Sequence, residues 1–167
     1  MFHVIAFLLA AQFALPLYVS STFLASWVGE ARVGIVYTLD SLIGLLFIGV
    51  FPRLLRRYGA TRSFIAVALA SSAALALLPF LGNPLLVVGV FTVYLISIRL
   101  LALPLDIFLE SVSTNATTGK KRGLYFTVLN IGMLVGPLGA AALLTSGDYR
   151  AVYLISAALL LPIILLV

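Results

Sequence analysis

Apolar residues run through this chain in blocks too long and too continuous for the core of a soluble domain. They fall at about 4–24, 33–51, 64–80, 85–108, 124–144 and 151–167, and turn-forming or charged stretches at 26–32, 52–62, 81–84, 110–123 and 145–150 divide them. A helix rises about 1.5 Å per residue, so roughly 20 apolar residues cross a hydrocarbon layer of about 30 Å. Each block is close to that length. A membrane β-strand would need only about ten residues and would alternate apolar with polar positions, which these blocks do not. The pattern predicts an all-α membrane protein, with residues 1–167 forming a single bundle of six transmembrane helices and no soluble domain.

Composition agrees with the pattern. The chain is 63% hydrophobic and 9% charged, with a mean hydropathy of +1.26, whereas soluble domains run at about 45–50% apolar and about 25% charged. There is no cysteine and a single histidine, His3, so neither disulfides nor a Cys/His metal centre is expected. A P-loop, an HExxH helix and a nucleophile elbow are missing from the sequence. No enzymatic activity and no cofactor are therefore expected.

The net charge of +5 changes the picture only through its placement. Arg53, Arg56, Arg57 and Arg62 sit in the break after the second block, and Lys120, Lys121 and Arg122 in the break after the fourth. Both breaks lie on one side of a six-span chain. Clustering of Lys and Arg marks the cytoplasmic side, so both termini are expected in the cytoplasm of a multi-pass protein of the plasma or bacterial inner membrane, and nucleic acid is not an expected partner. The first block has no basic leader and no small-residue cleavage site, and reads as a retained helix. Asn115-Ala116-Thr117 matches a glycosylation acceptor, but the basic residues at 120–122 put that break on the wrong side for it.

Two short echoes suggest an internal repeat. Ala14-Leu15-Pro16-Leu17 recurs as Ala102-Leu103-Pro104-Leu105, and the Ser72–Pro79 stretch resembles Ser156–Pro162. Half of a six-span chain has three spans, so two such halves would lie inverted in the membrane, as transporter repeats often do. Stripes of small residues at one-turn spacing mark close helix contacts in lipid. Ala66, Ala70 and Ala74 form one stripe, and Gly132, Gly136 and Ala140 another.

Charges within the blocks are the sharpest candidates for chemistry. Each costs about 2.5–3.5 kcal/mol near the bilayer centre by insertion scales and needs water or a partner. Asp40 and Arg99 are the two deep ones. With Gln12, Tyr18, Tyr37 and Asn130 they are expected to line a substrate cavity between the first, second, fourth and fifth spans, which also hold Pro16, Pro104 and Pro137 as sites for kinks. Asp106 and Glu110 fall on the Arg99 face of the fourth span, near the headgroups and level with the basic break. There they could pair with arginines to close a cytoplasmic gate.

The break Pro52-Arg53-Leu54-Leu55-Arg56-Arg57-Tyr58-Gly59-Ala60-Thr61-Arg62 resembles a signature of the major facilitator superfamily. Arg57, Gly59 and Arg62 match it, while Arg56 stands where the family has an aspartate. Gly123, Gly132, Gly136 and Pro137 resemble the fifth-helix motif often associated with antiporters, and Arg99 lies where many members carry a fourth-helix arginine. The resemblance implies the N-terminal six-helix half of a secondary transporter, a fragment whose partner is a C-terminal half or a second copy. It further implies a small solute as substrate, alternating access, and protons as a coupling ion for antiport or efflux. The alternative is a non-transporting six-span protein, an assembly factor or receptor scaffold, in which Asp40 and Arg99 would bury against each other or reach the headgroups.

Overall fold

The computed structural model describes residues 2–111, 118–144 and 148–167, and all regular structure in them is helical. Six helices follow one another: α1 (Phe2–Val28), α2 (Glu30–Tyr58), α3 (Ala60–Leu77), α4 (Pro84–Ser111), α5 (Thr118–Leu143) and α6 (Arg150–Leu166), with a 3-10 turn at Leu78–Phe80. The first five are long and apolar enough to cross a membrane. α6 is equally apolar but has 17 residues, about 25 Å of helix against about 30 Å of hydrocarbon. The chain is thus a multi-pass, all-helical membrane protein with five full-length spans and a shorter sixth helix.

The helices outrun the apolar blocks. α2 continues through Pro52 to Tyr58, so most of the basic break is helix and not loop. A proline removes one intrahelical hydrogen bond, and Arg56 and Arg57 in the last turn favour the negative end of the helix dipole. What remains of the two breaks flanking α2 is one glycine each. Gly29 and Gly59 both have φ of +82° with extended ψ, a backbone region that glycine occupies almost alone. The other legible breaks are capped by side chains: Asn83 Oδ1 accepts the Leu85 N–H at 2.8 Å, and Asp148 Oδ1 accepts the Arg150 N–H at 2.9 Å. The Asn115-Ala116-Thr117 triplet lies outside the described residues.

α1 is the centre of the bundle. It packs most extensively on α5, next on α6, and also touches α2 and α4, while α3 packs on α4 and α6. Small residues make the α1–α5 contact possible. A Cβ added to Gly132 would lie 2.7 Å from Ala10 Cβ and 2.8 Å from the Phe7 carbonyl oxygen, and one added to Gly136 would overlap Ala14. Ala140, one turn further, is buried as well. The stripe on α5 therefore does what its spacing predicts.

The stripe on α3 does so only at Ala74, which is buried. Ala66 and Ala70 are exposed, and the packed face carries Phe64, Ala68, Ser71 and Leu75. Both rows have helical spacing, and α3 buries the bulkier one because Phe64 and Leu75 fill the space beside α4 and α6. α2 is the least embedded helix. Only Asp40, Gly44 and Phe51 on it are buried, whereas Leu39, Leu42, Leu46 and Phe47 face outward.

Candidate functional site

A cavity of about 560 Å³ opens between α1, α2, α4 and α5, the four helices that carry the deep polar residues. α1 contributes Phe13 and Leu17, and α2 contributes Tyr37. From α4 come Ile98, Arg99 and Ala102, and from α5 come Tyr125, Phe126, Asn130 and Met133. α1 reaches the cavity through one face because residues three and four apart stack along a helix: Leu9, Phe13 and Leu17 lie on it. The tight α1–α5 seam holds those two walls at fixed spacing.

The cavity's charge comes from one ion pair. Arg99 Nη2 lies 2.7 Å from Asp40 Oδ2, and Nη1 donates to the backbone carbonyl oxygen of Asp40 at 3.4 Å. The Asp40 side chain is fully enclosed, whereas a third of the Arg99 side chain is exposed and lines the cavity. Gly44, one turn after Asp40, makes the arrangement fit. A Cβ there would stand 2.7 Å from Arg99 Nη1, so the missing side chain leaves the guanidinium its place against α2. Guanidinium N–H groups form two edges suited to carboxylates. Nη2 is engaged with the Asp40 carboxylate and Nη1 with its backbone carbonyl, which leaves further N–H donors of the group uncommitted on a side chain that lines the cavity.

The remaining expected residues divide into those that reach the cavity and those that do not. Tyr37 and Asn130 line it, although the Asn130 amide also donates to the Phe126 carbonyl of its own helix at 2.8 Å. Gln12 does not line it. It is wholly buried, with no hydrogen-bond partner for either end of its amide among the described residues, because it projects about 100° around α1 from Phe13. Tyr18 is 61% exposed and also outside the cavity. Arg56, Arg57, Arg62, Asp106 and Glu110 are all exposed, and among the described residues no ion pair joins them. The Arg57 guanidinium instead sits 5.3 Å over the Tyr58 ring. Asp106 stands within electrostatic reach of Tyr125. Gly59 supplies the α2–α3 joint. Of the α5 motif, Gly132 and Gly136 meet α1, while Gly123 has open space around it and Pro137 lies within an unbroken helix.

Sequence reasoning missed Gly44, Phe13 and Met133. Gly44 had a signal, since a glycine one turn from a buried acid leaves room for that acid's partner. Phe13 and Met133 had none, because an apolar residue facing a cavity looks like one facing lipid.

Behind the cavity the bundle is aromatic. Tyr37 meets Phe91 edge-on at 6.0 Å, Phe91 meets Tyr94 at 6.1 Å, and Phe23 packs on Tyr153 at 4.9 Å. Tyr94 and Tyr153 are fully buried. No protein-family model, curated protein or solved structure matches the chain.

Proposed function

We propose that this chain is one six-helix half of a secondary transporter of the major facilitator type, moving a small solute by alternating access. The observation that carries the reading is the Asp40–Arg99 pair in the wall of an intramembrane cavity. A charge embedded in lipid is costly, and here one member of the pair lines a cavity large enough for a metabolite-sized ligand, within the usual range of about 300–1,000 Å³.

The neighbour relations of the helices support an inverted repeat. Exchanging α1, α2 and α3 for α4, α5 and α6 turns the α1–α5 contact into α4–α2 and the α3–α4 contact into α6–α1. Every pair of touching helices then maps onto a touching pair, with α1–α4 and α3–α6 mapping onto themselves. The basic residues after α2 and α4 favour a cytoplasmic location for both termini. The outward faces of α2 and α5, which carry Leu42, Leu46, Leu134 and Leu138, suit a second six-helix bundle that would complete the cavity. Rocking of one bundle on the other would then expose the site alternately. Asp40 is the residue to which a coupling proton would go.

One observation favours the rival, a non-transporting six-span scaffold: Asp40 and Arg99 do bury against each other. Against it stands the exposed third of Arg99, which a purely structural pair would enclose. Counterflow in proteoliposomes of the complete protein, over a panel of sugars, drugs and organic anions, separates the two. Transport is expected for at least one class, with a pH dependence that flattens in Asp40→Asn. Absence of counterflow for every class, with the protein folded, would leave the scaffold reading.

A further inference from the structure

We infer that the cavity selects an amphipathic organic anion, a carboxylate carried on an apolar body, and that the carboxylate seats on the free part of the Arg99 guanidinium. The inference deepens the transporter reading and rests on it for the premise that the cavity is a substrate site.

Among the described residues the lining contains one ionised side chain, and it is a cation. Arg99 reaches the cavity surface, while its counter-ion does not: the Asp40 side chain has no exposed area and is absent from the lining. A ligand therefore meets Arg99 and, among the described lining residues, no carboxylate. A cationic ligand would face Arg99 directly and would find the balancing acid shut behind it. For an anion the arrangement is favourable, because a guanidinium with donors to spare binds a carboxylate through two parallel hydrogen bonds.

The rest of the wall sets the body of the ligand. Phe13 and Phe126 supply aromatic faces, and Ile98 and Met133 supply aliphatic ones. Asn130 has one amide N–H engaged with its own helix, which leaves one N–H and the amide oxygen to a ligand. A sugar, with a hydroxyl on nearly every carbon, would leave most of those hydroxyls without partners on such a surface, and an unpaired buried polar group is costly. Asp106 is the nearest described carboxylate along the same helix; it is exposed and is not a lining residue, although it stands within electrostatic reach of Tyr125, which is.

Carboxylates on apolar bodies come from water, as short aromatic acids, or from the bilayer, as fatty acids. The test uses both. The protein in lipid nanodiscs is titrated with radiolabelled 4-phenylbutyrate, and oleate and 4-phenylbutylammonium serve as competitors. Saturable binding of the acid is expected, with the ammonium isostere weaker by at least about tenfold. Competition by oleate at lower concentration than the short acid assigns the lipid phase as the source, and the reverse assigns water. Asp40→Asn combined with Arg99→Gln removes both charges without leaving either stranded, and should lower affinity for the acid by about tenfold or more. Arg99→Lys keeps the charge without the fork and should lower it less. Binding of the ammonium ion as tight as that of the acid would overturn the inference, as would unchanged acid binding in the double variant or in both variants. Counterflow of the same probes separates the two readings. Acid binding without counterflow would remove the transporter and leave the anion site, whereas counterflow of 4-phenylbutylammonium alone would remove the anion site and leave the transporter.

Discussion

Gly136 lies so close to α1 that its missing side chain is a condition of the fold. The atoms a Cβ would meet include the Ala14 backbone, which cannot swing aside as a side-chain end can. Gly136→Ala should therefore force the helices apart, at a cost typical of overpacking, about 1–3 kcal/mol. Gly49→Ala, on a face of α2 with nothing within 4 Å, should be neutral or slightly stabilising, since alanine is the better helix former. Reversible unfolding in mixed detergent micelles measures both. The ion pair gives a second comparison. Arg99→Ala strands an enclosed carboxylate and should destabilise by about 3–5 kcal/mol, and adding Asp40→Asn should restore much of the loss. A double variant no better than Arg99→Ala would mean that the pair contributes little to the fold. Both residues of this pair were legible as candidates because a charge within an apolar block stands out. Their partnership was not, since nothing in a linear pattern fixes how α2 and α4 are rotated against each other. Gln12 shows the reverse failure. A polar residue in a polar helix suggested the cavity, yet an angle of about 100° around α1 placed it in the core.

At the scale of the helix, hydrophobic blocks identified all six elements but not their ends or their faces. The ends were misjudged where α2 passes through Pro52, because a proline near the headgroups ends an apolar block without ending the helix. The faces were legible only where size made one choice possible. On α5, glycines at two successive turns admit α1 and little else. On α3, an alanine row and a mixed row of Phe64, Ala68, Ser71 and Leu75 competed, and lipid offers no hydrophobic penalty to decide between them. The structure makes the outcome testable. Ala68→Leu, in the buried row, should destabilise by about 1–3 kcal/mol, while Ala66→Leu and Ala70→Leu should leave the unfolding midpoint nearly unchanged. Equal losses in all three would mean that a further partner covers the alanine row.

For the whole molecule, the described helices surround α1 and leave α2 at the edge, with one side of the cavity unlined by protein. The charge distribution favours one sidedness, and that is open to measurement. A single cysteine at Thr61, exposed at the start of α3, should react with a membrane-impermeant maleimide only from the cytoplasmic side, and one at Gly82, exposed between α3 and α4, only from the opposite side. Labelling of both from the same side would contradict the six-span reading. The two left-handed glycines bear on a different matter. Because α2 has few buried neighbours, its direction is governed by the torsions at Gly29 and Gly59, so a bulky residue at Gly29 would re-aim the helix. It would draw a carboxylate about 16 Å away off its guanidinium, and the binding charge of the cavity could be retuned from a joint that no ligand ever touches.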